Sequence, residues 1–349
     1  MTFEERIALA SGYDIPRVIR GGWQLAGDHG PIDEARVDDD FLAAYDAGLT
    51  AFDCADIYTG VEARIGAFRQ AVTARFGPER LKRLKVHTKF VPDLEVLPRI
   101  DRAYVRSIIE RSLSRLKVER LDLVQFHWWD YAAPRWLDTA LWLGELRDEG
   151  KIDLIGGTNF DTAHVEALAA AGAPLKTLQV QYSILDRRPA ATMAAACARL
   201  GVTLLCYGSL AGGFLGERWL GRSEPPAPTN RSLIKYRLII ADFGGWALFQ
   251  QALAALDRVA RRHRVTISAV AARWTLDQPG VGAVIIGARN NDHLAETVAI
   301  GSLRLTDADR AEIAAVLAAS TPLAGDVYAL ERDRTGRHGA IMKYGLNSD

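Results

Sequence analysis

Gly21-Gly22-Trp23-Gln24-Leu25-Ala26 follows the first short apolar run of the chain, residues 17–21. A doubly wound dinucleotide-binding sheet places G-x-G-x-x-G at this point, where glycine backbone meets a pyrophosphate. The stretch does not match, and no phosphate loop of the G-x-x-x-x-G-K-[ST] type is present. Outward from it, comparable apolar runs recur at 50–53, 85–89, 121–127, 154–157, 177–181, 203–207 and 283–287. Helical patterns separate them: Ile65, Phe68, Val72 and Phe76 share one face, as do Val105, Ile108, Ile109, Leu113 and Leu116. Segments 134–149 and 163–171 end close to Gly150 and Gly172, as helix C-caps require. Strands too apolar to be half solvated, each followed by a helix, imply a parallel sheet covered by helices. The expectation is therefore α/β, a (β/α)8 TIM barrel, with 1–349 forming one domain.

Three segments depart from a minimal barrel. Residues 1–16 read as a lead-in. Residues 211–246, holding Gly212, Gly213, Pro225, Pro226 and Pro228, read as a long loop inserted after the seventh strand. Residues from about 321 to 349 read as a tail over the active-site face, with Tyr328 and Tyr344 as its large anchors.

Of 349 residues, 43 are Lys or Arg and 43 are Asp or Glu, so no net field invites nucleic acid or an anionic membrane. No apolar run reaches the roughly 18 residues of a membrane span, and the N-terminus lacks a secretory h-region. Cys54, Cys197 and Cys206 have no metal-site spacing and an odd count, which fits a reducing, cytoplasmic location.

Polar residues cluster where the apolar runs end. Asp53 and Tyr58 follow the second run, Lys89 closes the third and His127 the fourth. Barrel active sites are assembled at such strand ends. An acid, a phenol, an ammonium and an imidazole there suit proton transfer at a carbonyl or alcohol oxygen. Lys89 near Tyr58 is expected to lower the phenol's pKa, with Asp53 keeping Lys89 charged and aimed. His127 is expected to donate a hydrogen bond to the substrate oxygen. The plainer reading makes Asp53 and Lys89 a structural ion pair. A metal site from Asp53, His87 and His127 is the other alternative, but the chain has no H-x-H or H-E-x-x-H pair, so no metal is expected. On the later runs, Asn159 and Gln181 suit a carboxamide such as that of nicotinamide. Thr158 or Asn159 serves equally well as a helix N-cap. Tyr207 is placed to stack on a flat ring. Gly287-Ala288-Arg289 before a helix start offers backbone N–H groups and a guanidinium to a phosphate.

These segments, in this order, resemble the aldo-keto reductase superfamily. The resemblance rests on Phe52-Asp-Cys-Ala-Asp-Ile-Tyr58 with Glu62 and Gly66, Thr88-Lys89-Phe90, the 120–130 stretch, Gly157-Thr158-Asn159-Phe160, Gln179-Val-Gln181-Tyr182-Ser183, the 207–215 stretch and Gly287-Ala288-Arg289. It implies reduction of aldehydes or ketones by NADPH bound in extended form, with NADH open as an alternative. It assigns Tyr58 as general acid, Lys89 and Asp53 as its tuning pair, and His127 as an orienting donor. Thr158, Asn159 and Gln181 would hold the nicotinamide amide, with Tyr207 under the ring. Ser209, Leu210, Gly212 and Leu215 would cover the pyrophosphate. Gly287 and Arg289 would take the 2′-phosphate and Glu296 the adenine. Gly22, Trp23, Ile286, His293 and Thr297 complete the expected cofactor wall, and Trp23, Trp128 and Trp129 the substrate pocket. The chain departs from the family pattern at Thr59, Thr158, Trp129, His293 and Thr297. A cofactor-sensing regulatory subunit with little turnover is the alternative on the same fold. A metal-dependent barrel hydrolase is a further rival.

Overall fold

In the computed structural model, which describes residues 2–27, 30–226 and 230–347, the eight apolar runs are parallel strands. They are β3 (Val18–Gly21), β4 (Ala51–Asp53), β5 (Lys85–Phe90), β6 (Leu121–Phe126), β7 (Ile152–Thr158), β8 (Leu175–Gln181), β9 (Thr203–Tyr207) and β10 (Val281–Gly287). Each pairs with the next and β10 pairs with β3, which closes the barrel. Alternate residues face inward. Ile19, Ala51, Leu123, Leu154, Leu205, Ala283 and Ile285 form an interior cluster separate from the larger apolar layer between strands and helices.

The lead-in is more than a linker. It forms an antiparallel hairpin, β1 (Arg6–Ala10) and β2 (Tyr13–Pro16), turned at Gly12 with φ 73°. Leu9, Tyr13 and Ile15 pack on the interior cluster, and Lys85, at the start of β5, lies 4.4 Å from the Tyr13 ring centroid. The hairpin thus plugs the end where strands begin and leaves the opposite end for chemistry.

The helices are α1 (Val37–Asp46), α2 (Val61–Phe76), α3 (Arg102–Leu116), α4 (Trp136–Asp148), α5 (Thr162–Ala170), α6 (Met193–Leu200), α7 (Arg231–Phe243), α8 (Gly245–His263), α9 (Ile267–Leu276), α10 (Leu294–Ala299), α11 (Asp307–Leu317) and α12 (Ala329–Arg332). The helix after β7 is capped by the Asp161 side chain, which accepts from His164 N–H, so neither Thr158 nor Asn159 serves as its N-cap. Gly66 on α2 sits where a Cβ would collide with the Arg115 carbonyl of α3. Gly66→Ala should therefore cost about 1–3 kcal/mol, read as a lower urea midpoint at unchanged slope.

The insertion is not a simple loop. Short 3-10 turns at Ala211–Gly213 and Glu217–Trp219 lead to α7, and a 94° bend at Gly244 turns the chain into α8. Phe214, Trp219, Trp246 and Phe249 form an aromatic base under it. Pro228 lies outside the described residues. The tail contributes α12 and is strapped to the barrel at several places, two of them near its end. His338 Nε2 lies 2.6 Å from Asp242 Oδ2 at the end of α7, and Leu94 N–H donates to the Tyr344 carbonyl at 2.9 Å. Among the described residues, no single helix is long and apolar enough to cross a membrane.

Candidate active site

Asp53 is the last residue of β4, Lys89 lies near the end of β5 and His127 directly follows β6. Neighbouring parallel strands with matched ends therefore bring three inward-facing polar groups together. Lys89 Nζ is 2.7 Å from Asp53 Oδ2, donates to the Cys54 carbonyl at 2.8 Å, and lies 5.0 Å from the Tyr58 ring centroid. Both members of the pair are buried, at 5% and 4% exposure, too dry for a decorative surface bridge. The second Asp53 oxygen accepts from Gln179 Nε2 at 2.7 Å and Gln125 Nε2 at 3.3 Å. Burial alone would lower the Lys89 pKa; Asp53 and Tyr58 outweigh it and raise it above its ordinary value.

Tyr58 departs from its expected titration. Burial raises its pKa, and the opposing pull of Lys89 only partly compensates. The phenol is thus protonated at neutral pH, as a proton donor must be. His127 also differs. Its Nδ1 lies 3.1 Å from the Thr158 carbonyl oxygen, which can only accept, so Nδ1 carries the hydrogen. Burial, reinforced by the Arg332 guanidinium, lowers the imidazole to about 3, which keeps it neutral. Nε2 then presents a lone pair and has no partner in the protein. In this tautomer Nε2 can accept a hydrogen bond but cannot donate one to a carbonyl oxygen.

Asp53, Tyr58, Lys89 and His127 open onto one cavity of about 910 Å³, near the upper size of a small-molecule site. It continues past Thr158, Asn159 and Tyr207, under Leu210 and Gly212, to Ile286, Gly287, Arg289, His293, Glu296 and Thr297. Tyr207 donates its hydroxyl to Asn159 Oδ1 at 2.9 Å. Asn159 is held in the left-handed region, φ 61°. Glu296 Oε2 meets His293 Nδ1 at 2.6 Å, and Thr297 Oγ1 donates to the His293 carbonyl at 2.9 Å. These fix the far wall. Trp23, 4.9 Å from the Tyr58 ring, and Trp129, 4.2 Å from the His127 ring, line the near end.

Several expected residues stand back from the cavity. Trp128 is fully buried, donates to the Asp130 carbonyl at 2.9 Å and packs on Phe126, so it is not a pocket wall. Gln181 donates to Asp186 Oδ2 at 2.6 Å, and Gln179, two residues earlier on the same face, lines the cavity in its place. Gly22, Ser209 and Leu215 are not in the wall either. Gly22 donates to the Asp53 carbonyl at 2.8 Å, and a Cβ there would crowd that same oxygen.

The wall fits an extended dinucleotide. Gly208, Gly212 and Gly213 are left-handed, at φ 73°, 64° and 95°, in the turn after β9. Ser209, between them, is buried behind the wall with its Oγ unpartnered in the protein. Tyr207 supplies a ring face, and Arg289 with Gly287 a phosphate end. Among the described residues, no group of three or more His, Cys, Asp or Glu could hold a metal ion. His87, the third member of the metal alternative, is buried with neither nitrogen bonded to the protein.

Sequence reasoning missed Gln125 and Gln179, although both lie two residues before a residue it singled out and so share its inward face. It also missed Lys235 on α7. Its Nζ is 5.2 Å from the Tyr207 ring centroid and 3.7 Å from Glu331, and nothing local in the sequence marks it.

Comparison with known proteins places the chain in a family. The model of the Aldo/keto reductase family matches residues 17–318. The chain is 29% identical over 320 residues to the aldo-keto reductase YhdN of Bacillus subtilis (strain 168), covering 88% of this chain and 91% of that protein. It is 25% identical to the NADH-specific methylglyoxal reductase of Escherichia coli (strain K12), covering 84% and 92%. Among solved structures, the glycerol dehydrogenase AKR11B4 from Gluconobacter oxydans superposes with a TM-score of 0.76 at 25% identity, covering 93% of this chain and 98% of that one.

Proposed function

The chain belongs to the aldo-keto reductase family and is an oxidoreductase, and on that premise we propose that it reduces aldehyde or ketone carbonyls to alcohols with NADPH, with Tyr58 as proton donor. The observation that carries this reading is the buried Lys89–Asp53 pair beside the Tyr58 ring, at one end of a cavity whose other end holds Gly287 and Arg289. When bound, the reduced nicotinamide supplies hydride to the carbonyl carbon. Tyr58 gives its proton to the oxygen, and the Lys89 ammonium stabilises the phenolate left behind. Asp53, steadied by Gln125 and Gln179, keeps that ammonium charged and aimed. His127 accepts from a hydroxyl at Nε2, and Trp23 and Trp129 exclude water around the reacting oxygen. The three cysteines are buried free thiols, which suits a cytoplasmic setting.

The preference for NADPH rests on Arg289, since a guanidinium takes a phosphate bidentately. One relative is named for NADH specificity, so the cofactor is tested directly. Titrations of NADPH and NADH, followed by tryptophan quenching, should show tighter binding of NADPH. Arg289→Met should weaken NADPH about 10- to 100-fold and NADH much less, the size of a lost charge-assisted hydrogen bond. Equal losses for both cofactors would remove Arg289 from the 2′-phosphate.

A further inference from the structure

Arg332, in the short tail helix α12, reaches back across the molecule to the active-site loops. Its Nη2 donates to the Asn159 carbonyl at 2.8 Å, and its Nη1 donates to the Trp129 carbonyl at 2.8 Å and to the Trp128 carbonyl. Its guanidinium lies 3.8 Å from the Tyr131 ring centroid. The Tyr131 hydroxyl in turn accepts from Asp161 N–H at 3.2 Å. The two loops gripped in this way are those leaving β6 and β7. The first begins with His127. The second carries Asn159 and follows Thr158, whose carbonyl fixes the His127 tautomer.

We propose that Arg332 is a positioning residue, which sets the orientation of His127 and Asn159 by clamping together the two loops that carry them. The proposal rests on the reductase reading only in that His127 is taken to face the substrate. A planar five-donor fork can satisfy three converging carbonyls while stacking on a ring; an ammonium cannot. Asn159 sits at positive φ, a region asparagine adopts more readily than most residues, and its carbonyl accepts from the guanidinium there. Tyr328, just before α12, packs edge-on to His127 with centroids 5.6 Å apart, so the same segment backs the imidazole from a second side.

Arg332 also acts on the histidine through charge. Titratable groups lining the same cavity as His127 include Tyr58 after β4, the Asp53–Lys89 pair of β4 and β5, Tyr207 of β9, Lys235 of α7 and Tyr328 before α12, with Glu331 bonded to Lys235 and Arg332 bonded to the Trp129 carbonyl behind them. The phenols are neutral, and each of the two lysines is paired with a carboxylate. Arg332 bonds to backbone carbonyls, so its charge is not cancelled locally, and it disfavours protonation of His127 alongside burial.

The test reads the histidine itself. In full-length protein labelled with ¹⁵N-histidine and assigned with His127→Asn, wild-type His127 should stay in the Nδ1–H tautomer without titrating down to about pH 5. Arg332→Gln should mix the tautomers at neutral pH, because the grip on the loop that carries Thr158 and Asn159 is loosened. Arg332→Lys should mix the tautomers too, since an ammonium cannot reproduce the planar fork. In turnover, Arg332→Ala should lose about 10- to 100-fold in kcat, and added guanidinium should restore part of it. An unchanged tautomer in Arg332→Gln would overturn the proposal. So would activity losses that follow thermal stability alone and ignore guanidinium. If wild type reduced no carbonyl but its His127 signals moved as described, the reductase reading would fail and the clamp would stand.

Discussion

Tyr58→Phe should lower carbonyl turnover by about 10²–10⁴-fold, the usual worth of a positioned general acid. Cofactor affinity should stay within about twofold, because the phenylalanine ring still packs on Trp23. The lost oxygen is the group that no neighbour replaces. His127 presents a lone pair at Nε2 and cannot donate, and Lys89 is committed to Asp53 and the Cys54 carbonyl. The pH dependence has a definite sign. Burial raises the Tyr58 pKa, so the acid form persists through neutrality. Reduction should hold level through about pH 9 and fall only as pH climbs past the ordinary phenol value near 10. A bell centred near neutrality would point to a different acid. Steady-state kinetics across pH, with wild type and variant side by side, decides this.

Lys89→Met is the second large effect. It leaves Asp53 buried beside two neutral amides with no cation. Removing one partner of a buried pair typically costs about 3–5 kcal/mol, a large share of the stability of most domains. Turnover should fall as well, since nothing then stabilises the phenolate. Lys89→Met combined with Asp53→Asn removes the orphaned charge and should recover part of the stability but none of the activity. Denaturant unfolding of both variants separates the two roles. If Lys89→Met lost less than about 1 kcal/mol, the pair would be no more than a surface-like bridge.

The barrel and half of the site were legible because both follow from period two. Once 85–89 and 121–127 are strands, Lys89 must share a face with His87, and His127 with Gln125. What failed lies just beyond the strand ends, where that period stops. Trp128 and Trp129 follow His127 immediately, and alternation no longer says which faces the cavity; the structure turns Trp129 in and buries Trp128. Gln181 is the last residue of β8 and is drawn away by Asp186, part of a buried cluster with Arg188 and Glu331. One member of that cluster, Glu331, comes from the tail. Arg332 illustrates the general reason: its acceptors are backbone carbonyls about 170–200 residues away, and carbonyls leave no mark in a sequence. The prolines of the insertion hid α7 in the same way, since the breakers precede a helix that Asn230 caps.

The titration of Tyr58 has a similar origin. Reading Lys89 from the sequence predicted a lowered pKa, but the depth of burial that opposes it is a property of the closed barrel and of the tail across it. The correction strengthens the assignment, because an acid that is protonated at neutral pH is what reduction needs.

The proposed reaction passes hydride to a carbonyl in this cavity with Tyr58 as the proton donor. A single-turnover mixing experiment tests it most directly, with enzyme preloaded with NADPH and challenged with a panel of aldehydes and ketones, for wild type and Tyr58→Phe together. Wild type should oxidise close to one equivalent of NADPH per site with at least one carbonyl, and Tyr58→Phe should do so slower by about 10²-fold or more. Tight NADPH binding with no oxidation by any carbonyl, or oxidation by Tyr58→Phe at the wild-type rate, would contradict the account.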